Sequence, residues 1–304
     1  MTFDVVSIAS FNADLVARVA RPIARGETLK ASAFEIAPGG KGSNAAVAAV
    51  RQGARVALVA RIGDDDFGRI GRDLWRAEGI DTTHVDIAAG ETSGVAQILV
   101  YDDGDNSIAV YAGATSGLTV RHAQAARAML AACRVVMATC EVPIAVTLEA
   151  FRIAGAAGAT TLLNPAPARP LPDDLLAMTD VLTPNETELM ALAAPAGDAS
   201  ADAAAQTLIG RGARNVLVTR GADGCVLHRP DFEPLAQRGL CMSVVDTIGA
   251  GDTFTGALAA ALARGEPLQD AMRCANAAAG LSVTGRGAIS GMPTLEQVRA
   301  QLTP

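Results

Sequence analysis

The sequence predicts an α/β fold: a mostly parallel central sheet with helices on both faces, joined by a small β-sheet lid. Three observations predict it. Short apolar runs of strand type alternate with longer helical segments, the pattern of successive βα units. One stretch, residues 92–111, breaks that rhythm with two strand-like runs around an Asp/Gly/Asn turn. Polar and glycine residues gather just past the apolar runs, where open α/β sheets bind ligands. At 304 residues the chain can bury a large core, as one big domain or as a domain with an inserted subdomain.

Val5–Ala9 reads as the first strand, and Ser10-Phe11-Asn12-Ala13-Asp14 follows its carboxyl end. Asn12 and Asp14 are therefore candidate ligand contacts, with ordinary turn chemistry as the alternative. Residues 15–36 are mixed and extended, broken at Arg21-Pro22 and Gly26-Glu27. Pro38-Gly39-Gly40-Lys41-Gly42-Ser43-Asn44 then leads into a small-residue helix, Ala45–Gln52. Glycines this dense let a ligand approach the backbone closely; the alternative is a flexible loop with a Ser/Asn cap. Arg55–Ala60 is a strand, Asp65–Glu78 a helix and Thr83–Ile87 a strand, and helix capping accounts for Asp64–Asp66 better than a metal does. Next, Ser93–Tyr101 and Ser107–Tyr111 form a hairpin around Asp102–Asn106. With the extended segment it makes a sheet outside the main one, dividing the chain into a lid (14–37 and 92–111) and a core (1–13, 38–91 and 112–304). The hairpin strands are nearly all apolar, so one face packs on another chain and a homodimer is expected.

The βα rhythm resumes with helix Val120–Ala132, strand Val135–Ala138, helix Pro143–Gly158 and strand Thr161–Leu163. Glu141 lies just beyond the Val135–Ala138 strand and faces the same pocket as Asn12 and Asp14. Asn164–Pro170 is a rigid loop, and strand Val181-Leu182 enters Thr183-Pro184-Asn185-Glu186-Thr187-Glu188. Asn185 and Glu188 share a helical face and are suited either to hold water around Mg²⁺ or to form a capping box. Strand Asn215–Thr219 opens into Arg220-Gly221-Ala222-Asp223-Gly224, a turn for a nucleotide phosphate or ribose, or simply a hairpin turn. The Ala-rich stretch 191–205 reads as loop plus helix. Three helices end the chain, the middle one from Leu268 to about Val283.

Composition removes several function classes. Half the residues are hydrophobic and 19% charged, which excludes a disordered chain. One Trp, Trp75, two Tyr and seven Phe leave Ala, Val, Leu and Ile to build the core. A net charge of −7 and a pI near 5 argue against nucleic-acid and anionic-membrane partners. No apolar run reaches the ~20 residues needed to cross a bilayer. The start, Met1-Thr2-Phe3-Asp4, enters an apolar strand with no basic region or cleavage site, so a cytoplasmic protein is expected. Five cysteines without CxxC spacing read as reduced thiols, and three scattered histidines offer no zinc site.

The chemistry concentrates in Asp246-Thr247-Ile248-Gly249-Ala250-Gly251-Asp252, which runs into the Ala-rich helix Thr253–Leu262. Gly249, Ala250 and Gly251 leave backbone amides unhindered at a helix start, a cradle for phosphate. Asp252 is a poor phosphate ligand and a good base for a hydroxyl attacking phosphorus held there. An ordinary N-cap is the alternative for these four residues. A Rossmann fingerprint would need a third glycine where Phe254 stands, and the one Gly-Lys pair, Gly40-Lys41, is followed by Gly42 and so makes no Walker loop.

Taken together, Gly39–Asn44, Asp246–Asp252, Asn164–Arg169, Thr183–Glu188 and Asn12–Asp14 resemble, in order and over the whole chain, the ribokinase-like sugar kinases, the phosphofructokinase-B group. The resemblance implies that Asn12, Asp14, Gly40, Lys41, Asn44 and Glu141 bind sugar hydroxyls. It implies that Asp252 is the base, with Gly249, Ala250 and Gly251 as the anion hole. Asn185, Thr219, Gly221, Gly224 and Gly251 would line the ATP site, Asn276 would lie near the adenine, and Glu188 would hold Mg²⁺ through water. A monovalent-cation site for K⁺ would fall on Asp246, Ile248, Ser282, Gly285, Gly287 and Gly291. There the chain departs from the family's Gly-Ala-x-x-Ser-x-Pro: it reads Gly287-Ala288-Ile289-Ser290-Gly291-Met292-Pro293, with the serine one place early. The expected activity is ATP-dependent phosphorylation of D-ribose at O5. The rivals are another acceptor (deoxyribose, fructose, a sugar acid or a nucleoside) and a non-catalytic sugar sensor.

Overall fold

The computed structural model describes residues 2–194 and 200–302. The chain runs through β1 (Val5–Ala9), β2 (Asn12–Arg18), β3 (Ala33–Gly39), α1 (Lys41–Arg51), β4 (Val56–Gly63), α2 (Asp66–Ala77), β5 (Asp81–Ala88), β6 (Gly94–Val100) and β7 (Asn106–Tyr111). Then come α3 (Val120–Ala125), α4 (Arg127–Leu130), β8 (Val135–Thr139), α5 (Ile144–Ala156), β9 (Thr160–Asn164), α6 (Asp173–Ala177), β10 (Val181–Leu182), α7 (Glu186–Ala193) and α8 (Ala201–Gly210). Strands β11 (Val216–Thr219), β12 (Cys225–Arg229) and β13 (Phe232–Gln237) precede helices α9 (Ala250–Ala263), α10 (Leu268–Ser282) and α11 (Leu295–Leu302).

Nine strands form the main sheet in the order β13-β12-β11-β10-β9-β8-β1-β4-β5. All pairs are parallel except β11 with β12 and β12 with β13. All five residues of β1 are buried because both sheet faces are covered: Val5 and Ala9 enter one core, Val6 and Ile8 the other. The chain winds outward from β1 through β4 to β5, then returns to β8 and winds the opposite way. The strand order therefore reverses between β1 and β8, which opens a crevice beyond their carboxyl ends. Helices α1 and α9 pack beside it at close range, since a Cβ at Gly256 of α9 would overlap the Ala45 carbonyl of α1. Alanine and glycine on these helices are thus a packing requirement.

The second sheet has the order β3-β2-β6-β7. Two of its strands extend slightly beyond the 14–37 stretch read from sequence: Asn12 opens β2, and Gly39 closes β3. Asn12 and Asp14 are therefore strand residues, not turn residues, paired with Gly39 and Ala37 on one side and Gly94 and Ala96 on the other. Phe34, Ile36 and Tyr111 are exposed on one face; Ile108 and Val110 are exposed on the face that carries Asp14.

Other boundaries also moved. Helix α1 starts at Lys41 rather than Ala45, because Gly40 at φ +92 turns the chain straight into the helix. Asp65 caps α2 by accepting from the Gly68 amide at 2.8 Å. The 120–132 helix is two pieces meeting at Ala126. The 220–224 turn is the hairpin of the alternative reading, joining β11 to antiparallel β12. Part of the 191–205 stretch, residues 195–199, lies outside the described residues.

Candidate active site

Helix α9 is entered from Gly249, which sits at φ +76. A Cβ there would come within 2.8 Å of the Ala288 backbone, so both conformation and space demand glycine. Ala250 N reaches Thr247 O at 3.3 Å and Thr253 N reaches Gly249 O at 2.8 Å. Between them, the amides of Gly251 and Asp252 find no acceptor among the described residues. A Cβ on Gly251 would meet nothing within 4 Å, so this face is open to a ligand. Two unspent N–H groups at the positive end of a helix make an anion site. Asp252 stands in the same turn, 6% exposed, its Oδ2 accepting from Asn44 Nδ2 at 2.9 Å. Burial raises its pKa above the ordinary carboxylate value; Lys41 and the Asn44 hydrogen bond oppose that rise, and Glu141 and Glu188 add to it.

Across from α9, the start of α1 meets the ends of β1 and β8. Glu141 Oε2 accepts from Ser10 Oγ at 2.5 Å and from the Lys41 amide at 2.9 Å. Asn12 and Asn44 are each 5% exposed, and Asn44 Oδ1 is buried with no hydrogen-bond partner, an acceptor suited to an incoming hydroxyl. Gly39 leaves room for the Asp14 carboxylate, which a Cβ there would overlap. Burial pushes Asp14 up to about 7, with Glu141 and Asp252 adding repulsion and Lys41 opposing it. The Lys41 ammonium is held charged chiefly by Asp252, with Glu141, Glu188 and Asp14 contributing and burial opposing.

A cavity of about 210 Å³ adjoins this cluster. Its lining brings together the sequence-read residues Lys41, Asn185, Glu188, Thr219, Gly249, Ala250, Gly251 and Asp252. It also includes Asn164, Ala166, Thr183, Thr247 and Phe254, which the sequence reading assigned no role. Asn164 and Thr183 sit at or just past the ends of β9 and β10, a positional signal the sequence did carry. Asn185 and Glu188 form the capping box: Asn185 Oδ1 accepts from Glu188 N at 2.8 Å, and Glu188 Oε2 accepts from Asn185 N at 2.9 Å. Glu188 Oε1 remains without a donor among the described residues.

Gly221, Gly224 and Asn276 do not line that cavity. Gly224 has a packing reason for its identity, since a Cβ would overlap the Gln237 carbonyl, and Asn276 Nδ2 donates to Arg238 O at 2.8 Å. In the predicted cation loop the Asp246 carboxylate is spent on backbone, accepting from Ile248 N and Gly287 N, each at 2.9 Å. Gly291 lies against the Ser282 carbonyl and Gly285, and the Ser290 hydroxyl donates to Arg286 O. A larger cavity of about 440 Å³ opens at the amino ends of β9–β11, away from this chemistry; there Asp180 is spent on Arg214 and Thr161.

Amides placed for a phosphate, a buried carboxylate next to them, and polar side chains enough for several hydroxyls are the equipment of a kinase acting on a polyol. Known proteins agree. The pfkB family carbohydrate kinase model matches residues 2–295, and the chain belongs to that family of sugar kinases. It is 38% identical over 292 residues to a ribokinase of Haemophilus influenzae, covering 95% of each chain. It is 35% identical over 303 residues to a deoxyribokinase of Salmonella typhi, covering 99% of each. The structure of Arabidopsis thaliana ribokinase complexed with ribose and ATP superimposes with a TM-score of 0.92 at 30% identity, covering 100% of both chains.

Proposed function

We propose that this kinase transfers the γ-phosphoryl group of ATP to the 5-hydroxyl of D-ribose. The observation that carries the reading is Asp252, buried beside the unspent amides of its own helical turn. The sugar binds between Asn12, Asp14, Gly40, Lys41, Asn44 and Glu141, where carboxylates and amides match a vicinal diol. Asp252 takes the proton of the primary hydroxyl as that oxygen bonds to the γ-phosphorus, and the bond to the bridging oxygen breaks to release ADP. Of the 249–252 turn, the unspent Gly251 and Asp252 amides hold the transferring group; the Ala250 amide, read from sequence as part of the anion hole, is spent on Thr247 O. Lys41, the one cation lining the cavity, lies between the acidic cluster and the phosphates.

ATP lies along Asn185, Thr219, Gly221, Gly224 and Gly251, with Asn276 toward the adenine. With its Oε1 unspent, Glu188 is suited to hold Mg²⁺ through water; the ion supplies neutralisation of phosphate charge that four carboxylates and one lysine cannot. The oxygen donors of Asp246, Ile248, Ser282, Gly285, Gly287 and Gly291 suit a hard monovalent cation such as K⁺. The family's serine stands one place early here, as Ser290, and its hydroxyl donates to Arg286 O, so a weak activation by potassium is expected. The small sheet, 14–37 and 92–111, closes as a lid over the sugar from its Asp14 face and excludes water. Exposed Phe34, Ile36 and Tyr111 on its other face support a homodimer through the lid. Five free cysteines support a cytoplasmic setting.

The test is ADP release from ATP and Mg²⁺ with ribose, deoxyribose, fructose, gluconate derivatives and adenosine, each with and without potassium. Fast release with ribose is expected. Faster release with deoxyribose would reassign the acceptor and keep the mechanism, and silence with every acceptor would overturn the reading.

A further inference from the structure

We infer that Ser10 is a positioning residue for the sugar: its hydroxyl, clamped between the Gly42 amide and the Glu141 carboxylate, aims the other Glu141 oxygen at the substrate. The inference rests on the reading above that Glu141 contacts the sugar.

Ser10 lies just past the end of β1 and is 1% exposed, so water does not serve its hydroxyl. Gly42 N donates to Ser10 Oγ at 3.2 Å, and Ser10 Oγ lies 2.5 Å from Glu141 Oε2. An amide can only donate, and so the hydroxyl proton is directed at Glu141. Glu141 itself stands outside any regular element, beyond β8, with its own amide only 3.3 Å from Thr139 Oγ1. Its carboxylate is thus fixed by the two donors it receives, Ser10 Oγ and the Lys41 amide, both on Oε2. Oε1 has no donor among the described residues and is the oxygen left for a ligand. Asp14 and Asp252 lie close enough to repel the Glu141 carboxylate, and without the Ser10 donor one of the two contacts that hold it against that repulsion is lost. Ser10 also accepts Ser43 N on its carbonyl at 3.1 Å, so one residue ties together the β1 end, the first turn of α1 and the β8 end.

A double-mutant cycle tests this, using calorimetric binding of D-ribose and steady-state kinetics. Ser10→Ala is expected to weaken ribose binding about tenfold, the loss typical of a hydrogen bond to a charged group, with kcat and the ATP KM changed less than about twofold. Glu141→Gln weakens ribose binding on its own, and adding Ser10→Ala to it costs little more, because Ser10 acts through Glu141. Equal losses in both backgrounds, or a loss of kcat with ribose affinity intact, would overturn the inference. If Glu141→Gln binds ribose normally, the assignment of Glu141 fails and the role of Ser10 falls with it. A Ser10→Ala effect that is absent while the Glu141→Gln effect is present sinks the Ser10 role alone. Ser10→Cys, near-isosteric but a weak donor, takes the place of the alanine variant if that variant does not fold, and the same losses are expected.

Discussion

Helices α1 and α9 begin alike and do opposite things. Each follows a glycine in the left-handed region, Gly40 or Gly249, and neither start has a capping side chain from its N-cap residue. At α1 the first amides are all satisfied from within: Lys41 by Glu141, Gly42 by the Ser10 hydroxyl, Ser43 by the Ser10 carbonyl and Asn44 by Gly40. At α9 the amides of Gly251 and Asp252 are left over. The first helix carries its own anion, and the second has donors left for one, which on the proposed function arrives with ATP. Glycine density therefore reports that something approaches the backbone, but not what. At Gly42 it is the Ala9 Cα, which an added Cβ would approach to 2.6 Å; at Gly251 it is open space.

The sharpest way to break this contrast is Asp252→Asn, expected to lower kcat by about 10³-fold while the ribose dissociation constant stays within about threefold. Unchanged turnover would remove α9 as the chemical end. Next come paired glycine substitutions. Gly251→Ala should melt at the wild-type temperature yet lose about tenfold in kcat/KM for ATP, the scale of one misplaced charge-assisted hydrogen bond. Gly42→Ala should lose about 2 kcal/mol of stability in urea titration, because its Cβ meets backbone that cannot yield. The reverse pattern would erase the distinction between the two helix starts.

A smaller effect sharpens the electrostatics around α1. Because the folded-state pKa of Asp14 is raised to about 7, the native protein holds a proton there that the unfolded chain releases near pH 4. Stability contributed by this group falls as pH rises from about 4 to 7, and Asp14→Asn should flatten that slope in thermal melts. Ribose binding runs the other way, its KM falling as pH rises through 7, since the charged carboxylate is the better acceptor of hydroxyls. The smallest effect belongs to potassium: replacing it with a large organic cation should change turnover less than any substitution above.

The parallel βα core was legible because each strand and helix keeps its own period, and the cradle at 249–252 because turn glycines and an acid in one helical turn are an unusual conjunction. The start of α1 was misplaced because Gly42 has poor helix propensity, and only its packing on Ala9 explains its place inside the helix. The β11–β12 hairpin was legible only as an alternative, because glycine turn chemistry serves a nucleotide or a hairpin equally; β13 was not legible, because Pro234 argues against a strand unless that strand is at an edge, as β13 is. Ser10, Asn164 and Thr183 stand in stretches singled out from the sequence but carry no role there, because what each one does depends on which strand ends lie beside it. The chain order does not tell that β1 lies against β8.

The lone indole has a practical consequence. Trp75 is fully buried, its Nε1–H donates to Ser43 Oγ at 2.8 Å, and its ring stands edge-on 5.5 Å from Phe11. Ser43 belongs to the first turn of α1, and Phe11 immediately precedes the root of β2. The protein thus has its single indole at the joint between its two sheets. Its emission, selectively excited, should lie in the short-wavelength range of dry indoles, and a shift on adding ribose is the outcome expected of the proposed lid closure, a label-free optical test in the wild-type chain.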